Sequence, residues 1–253
     1  EGNGSFSQMT AGSVAGVRSY GCGAWGDFDN DGYLDLFLSG WNVPNSLHRN
    51  LNGTSFVDVS VTAGVASGLT TWATSWGDYD NDGFLDLFVG SWTGDLGALY
   101  HNNGDGTFTA VEAGSPLRDS ISSCAAGRGD YDNDGFLDLC MACSSYQVPA
   151  RNLLYRNNGN SNHWLECRLK GTASNRSALG AKVRLHARIN GRAFQQVREI
   201  GTGSGGWALN TVAHFGLGDA TRADVVRIEW PSGIVQELND VPANQILTVL
   251  EPP

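Results

Sequence analysis

Asp27, Asp29, Asp31 and Asp35 place four carboxylates within nine residues, and the same spacing returns at Asp78, Asp80, Asp82 and Asp86 and at Asp130, Asp132, Asp134 and Asp138. Every copy reads Asp-aromatic-Asp-Asn-Asp-Gly-aromatic-Leu-Asp. Carboxylates gathered so closely repel one another, so a folded loop that holds them calls for a cation. A hard ion such as Ca2+ takes six to eight oxygens at roughly 2.3–2.6 Å and tolerates irregular geometry, whereas Mg2+ is smaller and stricter. Side chains at positions 1, 3 and 5 converge when a glycine at position 6 allows the sharp turn, and Gly32, Gly83 and Gly135 supply it. Position 7 then offers a backbone carbonyl, from Tyr33, Phe84 or Phe136, and the aspartate at position 9 closes the shell. Three Ca2+ sites are expected. Acidic turns without metal are the bland alternative, and their charge density would cost the fold with no return.

These loops are not EF-hands, which end on Glu at position 12; the corresponding residues are Leu38, Val89 and Met141. Other chemistry finds less support. Gly21-Cys-Gly23-Ala-Trp-Gly26 and Gly201-Thr-Gly203-Ser-Gly-Gly206 match a dinucleotide fingerprint, but neither is set to open a helix in a βαβ unit. His48, His101, His163, His186 and His214 are scattered without metal-ligand spacing and read as ordinary strand or turn residues. Carboxylate pairs suited to glycosidase work lie in the loops, where a bound cation would keep them ionised and occupied, and Ser204 lacks a nucleophile elbow. No catalysis is expected.

The chain has 253 residues, room for one large or two modest domains, and a hydrophobic fraction of 41%, ordinary for a globular protein. Its net charge of −10 does not point to a basic partner. Residues 1–159 carry 18 acids and 6 bases, residues 160–253 carry 8 and 10, and 12 of the acids are the loop aspartates, so three Ca2+ would bring −10 to −4. Neither a nucleic-acid footprint nor a polybasic membrane patch is visible, and no apolar run approaches the roughly 20 residues of a membrane span. The start at Glu1, without a signal-peptide pattern, looks like a processed or trimmed terminus. Weak calcium loops are useful where calcium is abundant, which favours a secreted, extracellular or periplasmic location. Among the cysteines, Cys124 and Cys143 would face one another across the third hairpin if Gly129 pairs with Leu139; a disulfide there and buried free thiols are the two alternatives. Asn3, Asn52 and Asn175 begin glycosylation sequons.

The elements that must position the loops are strands. After each glycine the chain runs through Leu-Asp-Leu into apolar residues with no helical period, so each loop joins two strands. Trp25-Gly-Asp27 aligns with Trp76-Gly-Asp78 and Arg128-Gly-Asp130, and downstream Leu47-His-Arg-Asn-Leu-Asn-Gly53 aligns with Leu99-Tyr-His-Asn-Asn-Gly104 and Leu154-Tyr-Arg-Asn-Asn-Gly159. An aromatic, Phe56 or Phe108, follows the turn. A period near 50 with about four strands is that of a propeller blade. Trp41 and Trp92 occupy equivalent positions, suited to packing between blades or to stacking on sugars. Residues 160–253 alternate apolar and polar in five stretches, with Asn190-Gly191 as a hairpin turn, which suits a half-buried antiparallel sheet. The expected fold is therefore all-β: three blade repeats over residues 1–159 and a small antiparallel β domain over 160–253. Their junction at 157–160 is too short for a free linker, so the two should pack.

The Asp-x-Asp-x-Asp-Gly-x-x-Asp loops in such units resemble FG-GAP (VCBS-type) repeats, the blades of integrin-type β-propellers. Asn162-His-Trp-Leu165, Ser174-Asn-Arg-Ser-Ala-Leu-Gly-Ala-Lys-Val183, His214-Phe-Gly-Leu-Gly218, Trp230-Pro-Ser-Gly233 and Val241-Pro-Ala-Asn-Gln245 resemble an ASPIC/UnbV domain. That pairing is the one found in the cartilage acidic protein family and its bacterial relatives. The resemblance implies a secreted calcium-binding protein without established catalysis. Family propellers usually have seven blades, and three should not close a ring. Either blades are missing, or the C-terminal domain covers the open edges, or another copy does. Gly4-Ser-Phe6 has the phase of a strand belonging to a preceding unit, which favours other copies of the chain as partners, in a closed ring or a filament. The expected function is an extracellular interaction or assembly module acting in adhesion or self-assembly, with another extracellular protein as a further partner; the rival is a calcium-dependent carbohydrate-binding module that takes glycans.

Overall fold

The structure, a computed structural model, describes residues 6–8, 12–14, 21–68, 70–91, 97–111, 123–143, 151–204 and 208–253. Its described residues are strands and turns with no helix, so the all-β expectation holds. Short runs of strand formers cut by Gly, Asn and Asp fold as antiparallel meanders. The first sheet is β1 (Gly23–Gly26), β2 (Asp35–Leu38), β3 (Ser46–Leu51) and β4 (Ser55–Asp58), and the second is β5 (Thr71–Gly77), β6 (Asp86–Ser91), β7 (Ala98–Asn102) and β8 (Phe108–Ala110). The third holds β9 (Ser123–Gly129), β10 (Asp138–Cys143) and β11 (Leu153–Tyr155). Each acidic loop closes the first hairpin of its sheet, with Gly26 opposite Asp35, Gly77 opposite Asp86 and Gly129 opposite Asp138. Gly129 thus pairs one residue earlier than expected, and a register shift sets Cys143 opposite Ser123. The side chain of Cys124, like Trp92 and the sequon at Asn3, lies outside the described residues.

Between the first two sheets Trp76 is fully buried against Phe28, Phe37 and Phe108 and donates its indole N–H to the Ala24 carbonyl at 3.2 Å. A Cβ at Gly26 would stand 2.8 Å from that indole, so the glycine is what lets the sheets approach. Trp41 meets Trp72 edge-on at 5.7 Å, a packing role. Arg128 replaces the tryptophan at the next boundary, its Cδ 2.9 Å from where a Cβ of Gly77 would sit.

The C-terminal region differs from expectation in detail. β12 (His163–Lys170), β17 (Val212–Gly218) and β20 (Gln245–Leu250) form one sheet in the order β17-β12-β20. The second, in the order β14-β13-β18-β19, contains β13 (Lys182–Ile189), β14 (Arg192–Glu199), β18 (Arg222–Glu229) and β19 (Val235–Pro242). β12 and β20 run parallel, with Leu165 opposite Gln245, so the domain is not wholly antiparallel. Both sheets share one apolar core built from Leu165, Leu185, Phe215 and Ile228 among others. The Asn190-Gly191 turn between β13 and β14 has φ of 51° and 74°, as the hairpin reading required. A hairpin of β15 (Gly201–Ser204) and β16 (Ala208–Asn210) reaches back to lie beside β1 and β5. The described chain therefore holds five blade-like sheets of three or four strands and a hairpin, in place of three blades and one small sheet.

Candidate metal centres

All three acidic loops adopt one conformation. The asparagine at position 4 turns left-handed, with φ of 58° at Asn30, 59° at Asn81 and 58° at Asn133, and the glycine at position 6 does so at 91°, 98° and 89°. Side-chain amides of Asn tolerate that region and Gly has no Cβ to oppose it, which explains why these two residues recur. The turn aims backbone N–H groups at the first carboxylate. Asp27 accepts from Asp31 and Gly32 at 3.0 and 3.1 Å, Asp78 from Asp82 and Gly83 at 3.0 and 2.9 Å, and Asp130 from Asp134 and Gly135 at 3.0 and 2.8 Å. The aspartates at position 5, Asp31, Asp82 and Asp134, accept the N–H of Tyr33, Phe84 and Phe136. The rings of those three residues pack on the later turn glycines, Gly53, Gly104 and Gly159.

The position-9 aspartates are buried at the head of the second strand. Asp35 accepts from the N–H of Phe28 and Asn50, Asp86 from Tyr79 and Asn102, and Asp138 from Tyr131 and Asn157. The same asparagines latch the loops together. Asn102 donates its side chain to Phe28 of the first loop at 2.8 Å, and Asn157 to Tyr79 of the second at 2.7 Å. Asn30 reaches the Gly83 carbonyl and Asn81 the Gly135 carbonyl, each at 3.0 Å.

In each loop, oxygens of three aspartates come within 4.8 Å of one another: Asp27, Asp29 and Asp35; Asp78, Asp80 and Asp82; Asp130, Asp132 and Asp138. Burial pushes Asp27 up to about 7 and Asp35 to about 8, against partial relief from the backbone N–H groups of Gly32 and Asn50. Asp78 is raised well above its ordinary value by burial and then by Asp86, Asp82 and Asp80, and burial lifts Asp82 to about 6. The Oδ1 atom of Asp80 is buried without a hydrogen-bond partner. In the first two loops this all-oxygen donor set, largely buried and mutually repelling, fits a hard divalent cation, which would hold these groups ionised by charge neutralisation; in the third, Asp132 is exposed and Arg156 beside it favours its charged form.

Sequence reasoning missed the basic residue that faces each loop. Arg49 pairs with Asp29 and Asp31, Arg156 with Asp132 at 2.6 Å and Asp134 at 2.9 Å, and His101 with Asp80 at 3.2 Å and Asp86 at 3.3 Å. The reading of all five histidines as ordinary residues fails at His101, which the Asp86 carboxylate beside it holds protonated up to about 9. A signal existed: the three occupy the position before the anchoring asparagine in the repeated Leu-x-basic-Asn stretch. The C-terminal domain also presses on the loops, as the short junction implied. Arg168 donates to Asn133, and His214 meets the Gly135 carbonyl at 3.1 Å. Gly218 donates its N–H to the Asn81 carbonyl at 2.8 Å, and the Asn162 side chain donates to the Asp80 carbonyl at 2.9 Å. Arg198 of β14 is buried near the first two loops, donating to the His214 carbonyl and to Gln196 at 3.0 Å with its guanidinium 5.2 Å over the Phe215 ring; burial lowers its pKa, and the charges of Asp78 and Asp27 offset this in part.

Gly21–Gly26 leads into β1 and Gly201–Ser204 forms β15, so neither glycine run opens a helix. No helix of the described residues is long and apolar enough to cross a membrane.

Comparison with known proteins supports the resemblance read from the motifs. The family described as FG-GAP-like repeat matches residues 27–89, across the first two loops, and the family described as ASPIC and UnbV matches residues 171–253. The chain is 30% identical over 273 residues to cartilage acidic protein 1 of Mus musculus, covering 100% of this chain and 40% of the relative. Against the Homo sapiens protein of that name it is 31% identical over 271 residues, covering 99% and 39%. The Xenopus tropicalis protein is 28% identical over 274 residues, with 100% and 40% covered. The chain thus spans about 40% of the length of the curated relatives it matches.

Proposed function

We propose that this chain is a calcium-stabilised, non-catalytic interaction module that works outside the cell, with one Ca2+ held by each acidic loop. The observation that carries this reading is that the same preformed turn, three times over, brings oxygens of three aspartates within 4.8 Å of one another. Asp27, Asp29, Asp31, Asp35 and the Tyr33 carbonyl would hold the first ion. Asp78, Asp80, Asp82, Asp86 and the Phe84 carbonyl would hold the second, and Asp130, Asp132, Asp134, Asp138 and the Phe136 carbonyl the third. The ion would supply charge neutralisation and crosslink the first hairpin of each sheet. An extracellular setting follows from the need of weak calcium loops for abundant calcium. Calorimetric titration of metal-stripped protein, with elemental analysis of the loaded form, should find three Ca2+ per chain. Fewer than one would sink the reading.

Self-association is the second part of the proposal, and the boundary between the second and third sheets favours it. β4 and β8 are fourth strands, and β8 brings Phe108 to within 5.8 Å of Phe28 and 6.1 Å of Trp76. The third sheet has three strands among the described residues, and where its aromatic would insert there is a cavity of about 430 Å3 lined by Tyr79, Phe88, Leu99, Arg128, Leu139 and Tyr155. Phe6, whose phase matches Phe56 and Phe108, is 99% exposed. A second copy would lend its Phe6 segment as a strand on β11, with the ring in the cavity. Light scattering over a range of concentrations in calcium should show association that Phe6→Ala abolishes; a monomer at high concentration would exclude it.

A further inference from the structure

We infer that the second loop is also a site for a divalent transition-metal ion, with His101 as a ligand beside Asp80 and Asp86, a role that the first and third loops cannot offer. The inference deepens the metal reading proposed above and rests on it. The residue before the anchoring asparagine is Arg49 in the first repeat and Arg156 in the third, and a guanidinium has no lone pair to give a metal. The imidazole of His101 offers one once a cation displaces its Nδ1 proton. Its Nδ1 lies 3.2 Å from Oδ2 of Asp80 and 3.3 Å from Oδ1 of Asp86, and single donor atoms of the three residues fall within 4.8 Å of one another. Donors bound at about 2.0–2.1 Å to one zinc-sized ion, at tetrahedral angles, stand about 3.3 Å apart.

Two further observations point to an ion in that space. Neither close contact is aligned as a hydrogen bond: Nδ1 of His101 is buried without a hydrogen-bond partner, and so is the second oxygen of Asp80. The groups are also held in place. Asp86 is fixed by the N–H groups of Tyr79 and Asn102, and the Tyr79 ring stands edge-on to the imidazole at 6.3 Å. Calcium takes oxygens and gains little from an imidazole, whereas one nitrogen with two carboxylate oxygens suits zinc, manganese, cobalt or ferrous iron. The two classes of ion share Asp80 and Asp86, so they exclude one another at this loop and not at the other two.

Titration of the intact chain with Zn2+ in the presence of Ca2+ should reveal one Zn2+ site whose filling releases one Ca2+. Substituting His101→Asn should weaken Zn2+ roughly tenfold or more, leaving the number of Ca2+ bound without zinc unchanged. The Co2+ form of the unmodified protein should show paramagnetically shifted proton signals from one imidazole. Unchanged Zn2+ affinity in His101→Asn, or a Co2+ form with no shifted imidazole, would overturn the inference while leaving the calcium count intact. A calcium count of zero would instead overturn the reading beneath it.

Discussion

Asp78 and Glu251 are both 1% exposed, yet their surroundings shift them in opposite directions. Asp78 accepts two backbone N–H groups and then meets Asp80, Asp82 and Asp86, which add to the effect of burial and raise it. Glu251 sits at the end of the chain, in a nest of the ASPIC-like segment. It accepts from the N–H groups of Thr172, Ala173 and Ser174 at 2.7, 2.9 and 2.7 Å and from the hydroxyls of Ser174 and Ser232 at 2.7 and 2.6 Å. Burial alone would raise it, but those donors outweigh burial and hold it at about 2. Glu251 is thus satisfied by donors of its own domain, whereas Asp78 is met by like charges that a bound cation would neutralise.

Chelation should separate the two regions most strongly. A ligand bound only by the native state adds about 2.7 kcal/mol per site at a hundredfold excess over Kd, and three independent sites sum. EGTA should therefore lower the melting temperature by many degrees, with hydrogen exchange quickening across β1 to β10 more than in the core shared by β12, β13 and β17. An unchanged melt after elemental analysis confirms metal loss would break the comparison, as would equal loss of protection in both regions.

A smaller effect is expected from Asp86→Ala. It removes one carboxylate from the second loop and leaves the N–H groups of Tyr79 and Asn102 without their acceptor, at about 1–3 kcal/mol for such a buried group. Calcium titration should lose one site and keep two. Three undiminished sites would show that position 9 is not a ligand.

The blades were legible because their signals are local. A glycine-containing loop, strand formers on both sides and a repeat near 50 residues define a hairpin whatever surrounds it, and the three hairpins formed with their loops in one conformation. The parallel pairing of β12 with β20 was not, since alternation marks a strand but does not choose its neighbour, and the two strands lie far apart along the chain. Arg198 was hidden for a similar reason: it reads as one charge in a polar-rich strand, and both the burial that lowers its pKa and the aspartates that partly offset this come from distant parts of the chain. His101 was hidden differently. Its repeat reads as a turn-bearing motif, and nothing in the spacing ties the basic residue common to all three copies to the acids of the preceding loop.

Glu251→Gln should produce the smallest change, and one that calcium does not alter. The amide offers a donor where the nest presents only donors, so a modest fall in melting temperature is expected, equal with and without EGTA. Acid adds a sharper test. A glutamate titrates at about 4.3 when unfolded, and the nest holds this one at about 2 in the folded protein. The unfolded state therefore binds the proton first, so the stabilisation is present above the unfolded value and is lost as pH falls from about 4 to about 2. Replacing the glutamate removes that titration, so the decline of melting temperature across this window should be shallower in the variant than in the parent, both compared in EGTA. Identical slopes would mean that the nest does not favour the charged form, and the contrast with the acidic loops would lose its second half.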